Sequence, residues 1–98
     1  MLDIALMQSI ATQMMEGSQV AVGGKTVVVR RTSYQRLKTL TFVMDGREYQ
    51  AIEQNADKPS QWGRLARAGH QVVQFREAQT GRYVAVSVDG KVKEYGGG

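Results

Sequence analysis

The chain has 98 residues, of which 42% are hydrophobic and 22% charged, and its formal net charge is +4. This length fits one domain, and the aliphatic content excludes a disordered chain. The absence of cysteine excludes disulfides, thiolate nucleophiles and sulfur-ligated metal sites. No apolar run approaches the roughly 18 residues of a membrane span, and Asp3 stands where a signal peptide carries positive charge. We therefore expect a soluble, cytoplasmic protein.

The first sixteen residues have the apolar spacing of a helix that packs on a core. Gly17 supplies a stop signal. Ile4 and Met15 make the apolar side of the helix wider than one sheet would cover. Either the helix ends pack under a loop, or a partner helix covers the remaining apolar surface. The residues on the main apolar side are Leu2, Leu6, Met7, Ile10, Ala11 and Met14.

Two β-hairpins follow the helix in the sequence. The first joins Gln19–Val22 to Lys25–Arg31 through Gly23 and Gly24, which tolerate the positive φ angles of tight turns. The second joins residues 37–44 to residues 47–53 through Asp45 and Gly46, a preferred two-residue turn. This turn predicts that Phe42 lies opposite Tyr49 and Leu40 opposite Ala51. It places five apolar side chains on one face, namely Leu40, Phe42, Met44, Tyr49 and Ala51.

The C-terminal half predicts a short helix and then a β-meander. Residues 54–60 form a polar loop with the only proline, and a helix over about 59–68 has Asp57 or Ser60 as its cap and Gly69 as its end. Strands follow at residues 71–76, 83–88 and 91–95. Because Lys91 and Lys93 would face Val88 and Val86, the last strand is interpreted as a charged edge.

Together these elements predict an α+β fold. Its antiparallel sheet, curved or partly closed, has 5–7 strands arranged as hairpins and a meander, with an N-terminal helix and a second short helix near 59–68. Residues 1–95 form a single domain. Residues 96–98 form a glycine tail that resembles the Gly-Gly end of ubiquitin-like and sulfur-carrier proteins. The order of elements differs from the β-grasp order of those proteins, so we interpret the tail as a flexible end.

The sequence contains no recognisable catalytic or metal-binding constellation. His70 is the sole histidine and has no catalytic partner in the sequence pattern, so we interpret it as structural. Glu53 and Asp57 alone would make a poor cation cage. We expect a protein that is not an enzyme, with no cofactor, no metal and no membrane partner.

The charge is unevenly distributed, and this suggests a binding function. Residues 25–47 carry six basic and one acidic residue. Arginine pairs bidentately with phosphate, so these residues could form a surface for nucleic acid or another polyanion, although a solvated surface explains them as well. Arg64 and Arg67, one helical turn apart, form a second basic cluster. The candidate residues are Lys25, Arg30, Arg31, Tyr34, Arg36, Lys38, Arg64 and Arg67.

The alternative function is self-association or another protein interaction through the methionine-rich N-terminal helix. Methionine adapts its shape to a partner but also fills gaps in ordinary cores. The candidate interaction residues are Leu6, Met7, Ile10 and Met14. The sequence pattern leaves the choice between a polyanion and a protein partner open.

Overall fold

The structure, a computed structural model, describes residues 2–14, 19–22, 25–28, 30–31, 38–54 and 61–95. For Val22, Lys25, Arg30, Arg31 and Lys38 it describes the backbone alone. The elements in chain order are α1 (Ile4–Gln13), β1 (Gln19–Val22), β2 (Lys25–Val28), β3 (Arg30–Arg31), β4 (Lys38–Met44), β5 (Arg47–Glu53), α2 (Gln61–Arg67), β6 (Val72–Glu77), β7 (Tyr83–Val88) and β8 (Lys91–Glu94).

The strands form two antiparallel sheets. Strands β1 and β2 pair with each other, and the remaining six form a meander in the order β3-β4-β5-β6-β7-β8. Each neighbour in the larger sheet is also a neighbour in sequence, as expected when short connections join antiparallel strands. The predicted α+β class, antiparallel sheet and two helices are confirmed. In the part of the chain that the structure describes, the larger sheet is open, with β3 and β8 at its edges.

Helix α1 is shorter than the predicted sixteen residues because Asp3 caps it. The Asp3 side chain accepts a hydrogen bond from the Leu6 amide at 3.1 Å, which satisfies an amide that lacks a partner within the helix. At the other end, the Met14 amide bonds to the Ala11 carbonyl at 3.4 Å. Gly17, the predicted stop, lies outside the described residues.

The apolar side of α1 and one face of the larger sheet make the core. Met7 and Ile10 are fully buried against it, and Ile4 packs at its margin. Phe75 has its ring edge toward Phe42, with the ring centroids 6.1 Å apart. The five side chains predicted to share a face of the second hairpin are all buried in this core.

Two turns among the described residues follow the sequence rule for two-residue hairpin loops. Asp45 and Gly46 have φ angles of 55° and 73°, and the register places Phe42 opposite Tyr49 and Leu40 opposite Ala51, as predicted. Asp89 and Gly90 form the same kind of turn. It places Val88 opposite Lys91 and Val86 opposite Lys93, so β8 is the charged edge strand that the sequence predicts.

Helix α2 occupies Gln61–Arg67, within the predicted range of 59–68. Gly69, at a φ of 96°, follows its last turn, which is where a left-handed residue commonly ends a helix. The proposed caps Asp57 and Ser60 lie outside the described residues. The helix packs against β6, and Trp62 is half-buried.

The second face of the larger sheet is mixed in character. Val72 and Val86 are buried there, outside the cluster that contains α1. Gln50, Gln74 and Arg76 lie on the same face and are half-buried. Neither helix, within the described ranges, is long and apolar enough to cross a membrane.

Candidate polyanion interface

Strand β3 consists of two arginines at one edge of the larger sheet. The backbone pairing with β4 places Arg30 opposite Thr39 and Arg31 opposite Lys38. Residues directly opposite in an antiparallel pair have Cβ atoms about 4.5–5.5 Å apart, and like charges at such positions destabilise the pair. The fold therefore brings three of the candidate residues, Arg30, Arg31 and Lys38, to one strand pair.

The other members of the first basic cluster are not at this edge. Lys25 lies in β2 of the smaller sheet, opposite Val22. Tyr34 and Arg36 lie outside the described residues. Residues 25–38 hold five basic residues and no acidic one. Their charge of +5 exceeds the net charge of +4 of the entire chain. Much of the positive charge of the protein thus lies in the segment that contains β3 and enters β4, and residues 64–76 carry three further basic residues and no acidic one.

The second basic cluster lies on α2. Arg64 and Arg67 are both exposed, in the last turn of the helix. This helix packs against β6, the strand that carries Arg76. Arg76 was not among the predicted site residues, although it follows Arg64 and Arg67 in the sequence, on the strand after the helix.

Arg76 is held on the second face of the larger sheet by two neighbouring side chains. Its Nε donates to the Gln50 Oε1 at 3.0 Å, and its Nη2 donates to the same oxygen. The guanidinium carbon lies 6.0 Å from the centre of the Tyr83 ring. Among the described residues, no carboxylate pairs with this half-buried cation. Buried cations are usually paired, so Arg76 retains donors suited to an anion.

A second unpredicted contact joins His70 and Asp89. Their Nδ1 and Oδ2 atoms are 2.7 Å apart, and the other Asp89 oxygen accepts from the Gln71 amide at 2.9 Å. The hydrogen bond from His70, followed by that from Gln71, holds the pKa of Asp89 below its usual value. Both side chains are about half exposed. This pair links the residues before β6 to the β7–β8 turn.

A groove of about 370 Å³ lies between the β4–β5 turn and the β6–β7 turn. An ion pair between Arg47 and Glu77, with its nitrogen and oxygen 3.3 Å apart, contributes to its lining. Glu48 also lines the groove, so its charged side chains are two carboxylates and one guanidinium, which disfavours a polyanion there. The groove is a weaker candidate for a polyanion-binding site than the arginines of β3 and β6. No group of metal-ligating side chains is present in the part of the chain that the structure describes.

The residues of the proposed interaction helix are turned toward the protein's own sheet. Met7 and Ile10 are fully buried, Met14 is 1% exposed and Leu6 is half-buried. Their apolar surface is therefore buried mainly against the protein's own core. The structure contains no second copy, so self-association stays a prediction.

Comparisons with known proteins give no relative from which a function could be transferred: no protein-family model, no curated protein and no solved structure matches the chain.

Proposed function

We propose that the protein is a small cytoplasmic binding module without enzymatic activity that holds nucleic acid or another polyanion at the β3–β4 edge. The observation that carries this proposal is the backbone register that sets Arg31 opposite Lys38, beside Arg30. A strand pair with like charges directly opposite is electrostatically unfavourable on its own. A bound phosphate or sulfate would remove that repulsion.

The position of the pair also supports the proposal. Strand β3 is at the edge of the larger sheet in the described residues, and an edge leaves room for an extended ligand alongside it. Arginine presents a planar fork of donors that matches phosphate geometry. The exposed Arg64 and Arg67 of α2 would extend the positive potential and raise the rate of association more than the affinity.

The alternative of a protein-interaction module has less support. Its proposed contact residues Met7, Ile10 and Met14 already pack in the core, and a partner could reach them only if α1 left the sheet. We therefore favour polyanion binding over protein interaction as the function.

The test is a titration of two labelled probes, a single-stranded oligothymidine of about 20 nucleotides and heparin, from about 50 to 200 mM salt. We expect both to bind at low salt and to weaken as salt rises, because phosphate or sulfate counterions are released on binding. The double variant R30Q/R31Q should bind more weakly. Its slope of log affinity against log salt for the oligonucleotide should fall by about 1.4, since each phosphate contact on a single strand contributes about 0.7.

The matched control is R82Q/K93Q, which removes the same charge from exposed positions away from the β3–β4 edge. It should change the salt slope far less than R30Q/R31Q. The proposal would be overturned if neither probe bound at low salt, or if the two double variants lost affinity equally. Equal loss would mean that total charge, and not the β3–β4 edge, governs binding.

A further inference from the structure

From the geometry of the second sheet face, we infer that the ligand is a single-stranded nucleic acid, with a phosphate on Arg76 and a base stacked on Tyr83. This inference rests on the proposed function and adds the ligand class and two binding residues. Neither residue is among the candidate site residues that the sequence analysis names.

The anion subsite follows from the surroundings of Arg76. Gln50 occupies the Nε donor and one Nη2 donor of the guanidinium, which leaves three of its five donors for other acceptors. Gln50 is neutral, so it orients the fork without cancelling its charge. A phosphate oxygen would supply the negative partner that this half-buried cation lacks among the described residues.

The base subsite follows from the exposure of Tyr83. This side chain is large, yet it is 41% exposed, and it is the first residue of β7, opposite Arg76. Aromatic rings on sheet surfaces accept stacked bases, and a neighbouring arginine adds a cation–π contribution. Arg76 and Tyr83 contact each other, so one nucleotide could place its phosphate and its base on the pair.

The register connects this subsite to the proposed edge. Arg30 is opposite Thr39, Thr39 is opposite Ile52, and the next row on that face runs through Gln50, Arg76 and Tyr83. Strands lie about 4.8 Å apart, so three strand spacings separate β3 from β6 by roughly 14 Å. One extended strand of a few nucleotides could therefore contact Arg30 and the Arg76 subsite.

A double helix fits this arrangement less well. Its bases are stacked within the duplex and are not free to stack on a protein ring, whereas an unpaired strand can turn them outward. The same reasoning separates nucleic acid from heparin, which offers negative charge but no base.

The experiment measures oligothymidine and heparin binding by wild type, Y83T, Y83F and R76Q, with thermal melting as the check on folding. Threonine is a good strand residue, and Tyr83 is exposed, so Y83T should fold. We expect Y83T to lose roughly 5- to 150-fold in oligothymidine affinity, the usual effect of one stacked base, and to bind heparin as wild type does. Y83F keeps the ring and should retain oligothymidine affinity. R76Q should weaken both probes.

A duplex of the same length, with oligodeoxyadenosine as second strand, should bind more weakly than the single strand at equal salt. The inference would be overturned if Y83T bound oligothymidine as wild type does, or if the duplex bound more tightly. In either case heparin and oligothymidine could still depend on Arg30 and Arg31, and the proposed function would stand. Failure of both probes with wild type would instead remove the proposed function.

Discussion

Asp89 illustrates how one residue can have two roles of which the sequence reveals only one. Its place before Gly90 predicts a tight turn, and its φ of 53° confirms it. The contact with His70 is between residues 19 positions apart in the sequence, so no local sequence pattern predicts it. The sequence analysis found no partner for His70 because the pairing depends on where β6 begins relative to the β7–β8 turn.

The lowered pKa of Asp89 predicts how stability changes with pH. A carboxyl whose pKa is lower in the folded state stabilises the fold above its usual value of 3.8, and that stability is lost as pH falls through the folded value. We expect Asp89→Asn to unfold at lower denaturant concentration than wild type at neutral pH, with a smaller difference at about pH 2. Asparagine tolerates the left-handed turn conformation, so the change isolates the charge.

Denaturant unfolding of D89N, H70Q and the double variant measures the coupling between the two side chains. The double variant should lose less stability than the sum of the single variants. Additive losses of stability at neutral pH would show that the contact between His70 and Asp89 does not stabilise the fold.

At the scale of elements, the two Asp-Gly turns are alike in sequence and different in surroundings. Gly46 has open space around the position where a Cβ atom would lie, whereas at Gly90 that atom would be 2.5 Å from the Thr12 Cγ2. Thr12 belongs to α1, so the turn between β7 and β8 lies directly against the helix. The sequence predicts both turns from the same dipeptide, but only the packing of α1 distinguishes them.

We therefore expect Gly90→Ala to destabilise the protein more than Gly46→Ala. The left-handed backbone should cost about 1–2 kcal/mol at each position, and the clash with Thr12 should add about 1–3 kcal/mol at Gly90 alone. Thermal or denaturant unfolding of both variants measures the difference. Combining G90A with T12S, which removes the clashing methyl, should bring the loss close to that of G46A; no recovery would mean that the turn does not contact the helix in this way.

At the scale of the whole molecule, the open meander leaves two sheet edges in the described residues, and the chain places cations on both. On β8, Lys91 and Lys93 are exposed, and lysines on an edge discourage pairing with another chain. On β3, the cations are Arg30 and Arg31. Protection of the edge explains the lysines of β8, whereas our proposal assigns a ligand to β3, where Arg31 lies opposite Lys38.

The edge role of β8 can be tested by self-association. The variant K91V/K93V should form larger species at micromolar concentration, because it presents an apolar edge of strand-favouring residues. Light scattering after size-exclusion chromatography measures this. R64Q/R82Q removes the same charge away from β8 and should keep the mass of wild type. Equal association by the two variants would show that net charge, and not the edge, prevents it.

The sequence by itself determined the local elements and their register, because turns such as Asp45-Gly46 and the alternation of Leu40 and Phe42 act over a few residues. It also determined that the basic residues concentrate in residues 25–47 and again in residues 64–76. Only the tertiary structure decided which residues become neighbours, since pairing between strands sets Arg31 opposite Lys38 and brings Arg76 to Gln50 and Tyr83. It likewise placed Met7 and Met14 in the core. Hydrophobic periodicity specifies that a helix face is buried but not what covers it.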